Sequence, residues 1–518
     1  MTDLTTITNL SPARNALAAI LLLPILYYVF QSYRWNRKYR LPPTISRPLP
    51  LFGNLFSAPS SGYGPWARSC ALRLGDMHTV HFGLTTWVFL NKSRHVRALM
   101  EKRAHIYCSR PRFPFTGEVM SAGCRMVLMP YGERWRAVRK VMAHILSTRQ
   151  KDTYKPYQDL ESKHLLWDYL HHPDRWFSAN ARYSNSVIMS VVFGKRLDLD
   201  NQHTADLMHT IDLFLGNQQP GTNLVDAFPI LASVLPKPLQ WWRRRALKIY
   251  EFTRGVYKRE LEEIRERMAR GAQRDCFAKD FLQTEEAKEF GETQTLFVLG
   301  TLMEAGTDTS RLTLIDIIAA AAAYPDWVGR AREQLDKVCG KEAQRLPGWA
   351  DRDDLPYITA VVKEGFRWRP NTAEMGVPTS LIKDDEYEGY RFPAGTVFTW
   401  NAWALALDPE EYQEPERFWP ERFLNEDLNN PMKGHYGFGP GRRVCVGWNV
   451  GETNVWIAIA RLLYCFDFEQ DPKEPIDTMD IPQLNKGKAP FKVVIKPRSE
   501  KHAELIRRDC AAAVNTKY

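Results

Sequence analysis

Between Thr293 and Tyr324 the chain carries its longest helix-compatible run, closed by Pro325. As an α-helix this run would be roughly 48 Å long, enough to cross an entire domain, so it reads as a central helix with the other elements gathered round it. In its middle stands Ala305-Gly-Thr-Asp-Thr-Ser310. Glycine inside a helix costs up to about 1 kcal/mol, and Thr, Ser and Asp compete with the helix for its own backbone groups. A small, polar break in a buried helix asks for a chemical reason, and a second stretch supplies one.

That stretch is Phe438-Gly-Pro-Gly-Arg-Arg-Val-Cys-Val-Gly447, followed by an apolar, helix-compatible run from Trp448 to Leu463. A cysteine beside Arg442 and Arg443 and near a helix N-terminus is stabilised as thiolate, the form that ligates iron. Gly439, Gly441 and Gly447 are expected to supply positive φ and close approach to a flat ligand. A lone cysteine among glycines is ordinarily a small buried hydrophobe. The spacing Phe-x-x-Gly-x-Arg-x-Cys-x-Gly, carried by Phe438, Gly441, Arg443, Cys445 and Gly447, argues otherwise, because it closely resembles the heme-binding loop of the cytochrome P450 monooxygenases.

The resemblance extends along the chain in the family's order. Trp135 and Arg139 lie at i and i+4 of a helical pattern, so both project from one face, and the resemblance implies a heme-propionate contact there. The central-helix break resembles the oxygen-activation motif, with Thr309 as its hydroxyl and Asp308 as the acidic neighbour in proton delivery, in a helix that widens locally. Glu364 and Arg367 form an i,i+3 pair flanked by Val361, Val362 and Phe366. The family completes that pair with an arginine from a Pro-Glu-Arg-Phe segment, which occurs here at Pro415–Phe418 and again at Pro420–Phe423. Arg422 is the better match, with Arg417 as the alternative. Where the family places His or Arg after the proline of Val377-Pro-Thr-Ser-Leu381, this chain has Thr379, and Arg443, Arg125 or His435 is expected to compensate. Cys445 is thus the expected metal ligand of a heme b, with Phe438, Gly439, Gly447, Arg443, Trp135, Arg139 and Arg125 about the cofactor. The implied fold is mainly α with a smaller β portion, its long central helix lying over the heme.

Composition agrees. The 518 residues are 44% hydrophobic and 12% aromatic with 16 Trp, sufficient for a large core, and no linker or repeat interrupts residues 51–518, read as one catalytic domain. The eight cysteines include no C-x-x-C pair, which argues against a zinc knuckle or a disulfide framework. Lys and Arg are spread along the chain despite a net charge of +10, so nucleic-acid binding is not expected.

After a short lead (1–15), the apolar run Ala16 to Phe30 with interfacial Tyr27, Tyr28, Tyr33 and Trp35 reads as a membrane anchor (16–35). Arg34, Arg37, Lys38 and Arg40 outweigh Arg14 upstream, which places the bulk of the chain on the cytosolic side of the endoplasmic reticulum membrane. A basic, proline-rich hinge (36–50) follows. Further along, Ala227 to Arg245 has the composition of a lid that touches the same membrane, with Trp241 and Trp242 at headgroup depth. His78 to Leu90 reads as a hairpin turning at Gly83, and Ile495 to Tyr518 as a charged tail.

The function this implies is insertion of one oxygen atom of O2 into a lipophilic small molecule, in the style of fungal secondary-metabolite enzymes. Electrons would come from NADPH through a cytochrome P450 reductase, with cytochrome b5 as a further candidate donor. Two alternatives remain: coupling, ring closure or desaturation on the same heme, and a non-catalytic heme- or ligand-binding membrane protein, which would be expected to have eroded the Thr309 motif.

Overall fold

The computed structural model describes residues 37–59, 62–148, 153–197, 201–218, 221–370, 374–479, 481 and 488–517. The expected anchor (16–35) lies outside them. Among the described residues no single helix is long and apolar enough to cross a membrane.

Helices dominate: α1 (Glu133–Thr148), α2 (Lys155–His171), α3 (Trp176–Phe193), α4 (Gln202–Leu215), α5 (Trp242–Ala269), α6 (Glu292–Ala323), α7 (Pro356–Trp368), α8 (Trp448–Cys465) and α9 (Glu500–Asn515). The central helix is α6, buried along most of its length and packed on α3, which is itself buried almost throughout. Its glycines are where neighbours come closest. A Cβ on Gly306 would lie 2.4 Å from the Ile188 side chain, and one on Gly300 2.2 Å from the Tyr257 ring. Ser184 Oγ also donates to the Gly306 carbonyl at 2.9 Å. Close helix packing therefore accounts for part of the small-residue break. α6 runs unbroken from Glu292 to Ala323, with no interruption at the small-residue stretch.

The hairpin forms as expected, β1 (Met77–Phe82) pairing antiparallel with β2 (Thr85–Leu90) across Gly83 at φ 60°. A four-stranded sheet is completed by β4 (Val397–Trp400), parallel to β2, and by β3 (Thr379–Ser380) on its edge. Thr379 is thus a buried sheet residue, its hydroxyl 3.4 Å from the Phe398 carbonyl.

The carboxyl-terminal segment differs from the expected charged tail. Strand β6 (Val493–Pro497) pairs with β5 (Phe466–Gln470), and α9 packs on α2. Its charges occupy one face, while His502, Leu505, Ile506, Cys510 and Ala513 fall at helical spacing on the other and are buried.

Over the central helix the roof is built separately. Phe115, Val119, Met120, Val225, Trp242, Ala246 and Ile249 form an apolar cluster of their own. Trp242, expected at a membrane surface, is 5% exposed inside this cluster, whereas Trp241 is 60% exposed. The first tryptophan precedes α5 and the second begins it, so the helix turns only one of them inward.

Candidate active site

The cysteine loop is shaped by its glycines. Gly439 (φ 72°) and Gly441 (φ 63°) adopt the left-handed conformation, and a Cβ on Gly441 would stand 1.9 Å from the Met100 carbonyl oxygen. The loop closes when Cys445 N–H donates to Phe438 O at 2.8 Å. Gly447 does not need positive φ: it sits at −95° just before α8, with nothing near the position a Cβ would take. The Cys445 side chain is exposed, yet protein surrounds its sulfur closely. Burial pushes its thiol above the ordinary 9.0, opposed by the Gly447 N–H and the charge of Arg139. A cation bonded to the sulfur would favour the thiolate over that burial cost.

Three arginines stand near this loop, of which Arg139 is the one whose charge acts on the Cys445 sulfur. Arg443 Nε donates to Cys108 O at 2.7 Å and Nη2 to Met129 O at 2.9 Å, while its guanidinium lies 4.1 Å over the Trp135 ring. Its Nη1 is buried and has no hydrogen-bond partner among the described residues. Arg139, one turn along α1 from Trp135, acts on the Cys445 sulfur as noted. Arg110 is buried, with Nε on Val127 O at 2.6 Å and Nη1 on Val377 O at 3.1 Å. Burial lowers all three from the ordinary arginine value, Arg443 to about 10, and the neighbouring charge of Arg443 lowers Arg110 further. None of the three makes an ion pair with a described carboxylate, so the cluster is short of negative charge. A planar cofactor carrying two carboxylates and an iron that accepts a thiolate fits this donor set.

Beyond Arg110 opens a cavity of about 710 Å³, walled on one side by Thr301, Ala305, Asp308, Thr309 and Leu312 of α6 and on another by Val377 and Pro378. Thr309 Oγ1 donates back to Ala305 O at 3.0 Å, and Arg311 Nη2 lies 2.9 Å from Asp308 Oδ1.

Beneath the cysteine loop, Glu364 is fully buried and receives Arg367 through two bonds of 2.7 Å, Trp419 N–H at 2.7 Å and Arg422 Nε at 3.3 Å. Arg367 also donates to the carbonyls of Ala406 and Pro415. Arg422 is therefore the second arginine, while Arg417 is half exposed and pairs loosely with Glu414. This network pegs the segment that leads into the cysteine loop.

The sequence matches the cytochrome P450 family model over residues 42–495. The chain is a cytochrome P450. Among its relatives, the cytochrome P450 monooxygenase verL of Clonostachys rogersoniana is 33% identical over 516 residues, covering 95% of this chain and 94% of that protein. The monooxygenase patI of Penicillium expansum is 32% identical over 506 residues, covering 94% of each chain. The monooxygenase fogE of Aspergillus ruber is 30% identical over 515 residues, covering 95% of this chain and 94% of that protein. The P450 is accordingly a monooxygenase with a heme-iron cofactor.

The P450 brings Cys445, Arg443, Trp135 and Arg139 together, with Phe438 ring-to-ring at 4.7 Å on Phe366 of α7. Arg125 is placed differently from expectation. Its guanidinium meets the Glu304 carboxylate and lies 4.0 Å over the Phe214 ring, so its charge is already taken up in the roof. His435 is no substitute either. Burial and the charge of Lys363 push it down to about 3, so it is neutral, packed against Phe366 and Phe438. Arg110, expected from the sequence only as the start of a pocket wall, lines the cavity with its Nη1 on the carbonyls just before Thr379. Its signal was present in Ser109-Arg-Pro111: a lone arginine entering a cavity-wall segment.

Proposed function

We propose that this P450 inserts one oxygen atom of O2 into a lipophilic small molecule, with NADPH-derived electrons, in a fungal secondary-metabolite pathway. The observation that carries the reading is a set of three arginines, buried Arg110 and partly buried Arg139 and Arg443, unpaired with any described carboxylate and next to the loop of the one exposed cysteine. In this reading Cys445 ligates the iron of heme b, and the three guanidiniums with the Trp135 indole hold its propionates. The heme supplies the activation of oxygen. Asp308, fixed by Arg311, and Thr309 stand one residue apart on the cavity wall. A turn about χ1 would release the Thr309 hydroxyl from Ala305 O, letting it pass a proton between Asp308 and the reacting centre. The intact pair favours activation of O2 over isomerase chemistry that uses a peroxide, and over a non-catalytic role.

Electrons come from a separate reductase docking on the exposed basic side chains near the cysteine loop, Arg442 and Lys433. Attachment to the endoplasmic reticulum membrane through residues 16–35 is supported by an apolar rim on the described part. Phe52 packs on Phe56 and Phe228 at 5.5 and 5.8 Å, and Leu49, Leu51, Ile230, Val234, Leu239 and Trp241 are exposed.

The test is the reduced carbon-monoxide difference spectrum of the membrane-expressed chain beside Cys445→Ala. The red-shifted Soret band of a thiolate heme, absent from the variant, is expected. A folded wild type without that band would overturn the heme assignment and every role built on it.

A further inference from the structure

Behind one part of the cavity wall stands an arginine that the site described above does not use. Arg369 follows the last residue of α7 and is 2% exposed. Its guanidinium lies 4.3 Å over the Trp368 ring and 5.9 Å from the Trp403 ring. Its hydrogen-bond partners are main-chain carbonyls and one hydroxyl. Nε donates to Thr478 O at 2.6 Å, Nη1 to Trp368 O at 3.0 Å, and Nη2 to Glu416 O at 3.3 Å and Thr478 Oγ1 at 3.5 Å. Burial and the charge of Arg367 bring its pKa down to about 10, so it stays a cation at neutral pH. Bonds from a charged donor are stronger than neutral ones, and a buried cation resists losing any of its acceptors. The Thr478 carbonyl is therefore firmly held.

Thr478 is gripped from a second side as well. The Tyr324 hydroxyl, just past the end of α6, lies 3.4 Å from Thr478 Oγ1. Met479, the next residue, donates its N–H to Asp477 Oδ1 at 2.9 Å, and its side chain packs on the cluster of Trp403, Ala406 and Leu407. Met479, Ile481 and Trp403 all line the cavity. One guanidinium thus backs two pieces of wall from separate segments, Trp403 through its ring and Met479 through the residue before it. A wall backed in this way has little room to retreat, and a close-packed wall discriminates on the breadth of what it faces.

We propose that Arg369 is a positioning residue for substrate specificity. Its grip on Thr478 holds Met479 and Ile481 against the cavity, so that this side of the site takes a flat ring or an unbranched chain and rejects a branched group. Arg369 touches no substrate itself and acts only through the wall it supports. The inference rests on the heme reading above, which makes this cavity the substrate site.

The test is Soret titration of the heme-loaded full chain with two ligands of different breadth, 1-(4-methylphenyl)imidazole and 1-(4-tert-butylphenyl)imidazole. The wild type should bind the methyl ligand more tightly. Arg369→Met keeps an apolar stem over Trp368 and removes the grip. It should shift the ratio of the two dissociation constants roughly fivefold or more toward the broad ligand, the scale on which a pocket senses methyl-sized differences. Met479→Ala should shift the ratio the same way, and adding Arg369→Met to it should change the ratio no further. Arg369→Lys keeps the charge but loses the planar fork; it should give a smaller shift in the same direction, and it carries the test if Arg369→Met does not fold. An arginine with a structural role alone would, when replaced, lower heme content or weaken both ligands equally. An unchanged ratio in the folded Arg369 variant, or full additivity with Met479→Ala, would overturn the proposal and leave the heme reading intact. A wild type whose Soret band moves with neither ligand nor with imidazole itself would overturn both.

Discussion

The floor and the roof of the cavity are built on different principles. The floor is a set of positions at which one residue type fits: Gly441 against a carbonyl oxygen, Glu364 receiving two arginines and a backbone N–H, and Arg443 threaded between two carbonyls and an indole. The roof is a small apolar cluster tied by replaceable hydrogen bonds, chiefly Asp226 to Phe115 and Thr116. A buried charge network resists opening because removing one member strands the others. A satellite cluster with a polar clasp opens at modest cost. The side beside the cysteine loop is therefore held rigidly, while the roof is free to give.

The strongest way to break this contrast is Glu364→Ala. It leaves Arg367 and Arg422 buried without their carboxylate and should cost about 3–5 kcal/mol, read as a lowered denaturation midpoint and as loss of heme per protein. Gly441→Ala comes next. A methyl group against a main-chain oxygen in a left-handed backbone should cost about 2 kcal/mol or more, again with loss of bound heme at equal protein yield. Retention of heme in either variant would remove the rigidity argued for the floor.

Asp226→Asn should act on the roof alone, costing about 1 kcal/mol. It should speed binding and release of an azole in stopped-flow measurements, with heme content unchanged. Loss of heme comparable to that of Glu364→Ala would erase the distinction between the two sides. Burial raises the Asp226 carboxyl from 3.8 to about 6. A carboxyl with a raised folded value favours the folded state most when protonated. The stability of the wild type relative to Asp226→Asn should therefore fall as pH rises from about 4 to about 6 and level off above, measurable as paired melts across that range. The smallest effect sharpens the floor itself: Arg417→Ala, removing an exposed partner of Glu414, should stay within about 0.5 kcal/mol by chemical denaturation, although Arg417 sits in the same Pro-Glu-Arg-Phe context as Arg422.

Much of the site was legible because it is local. The Cys445 loop, the Glu364/Arg367 pair and the Trp135/Arg139 face are fixed by spacing within a few residues, and spacing is what a sequence displays. Arg125 was misread because a long side chain takes its partner from whatever is brought near it, here Glu304 from a helix far along the chain. The carboxyl-terminal segment was misread because its charges masked a buried stripe, His502 to Ala513, that only the presence of α2 makes meaningful.

The sequence by itself determined that a long central helix crosses a mainly helical fold, that a hairpin turns at Gly83, and that one cysteine sits in a glycine-shaped loop. Periodicity, turn chemistry and motif spacing all operate over short separations. Only the tertiary structure decided that Arg422 and not Arg417 reaches Glu364, and that Arg110 stands beside Thr379. Those outcomes depend on desolvation and on the space left between elements distant in the chain, and neither is fixed until the core has packed.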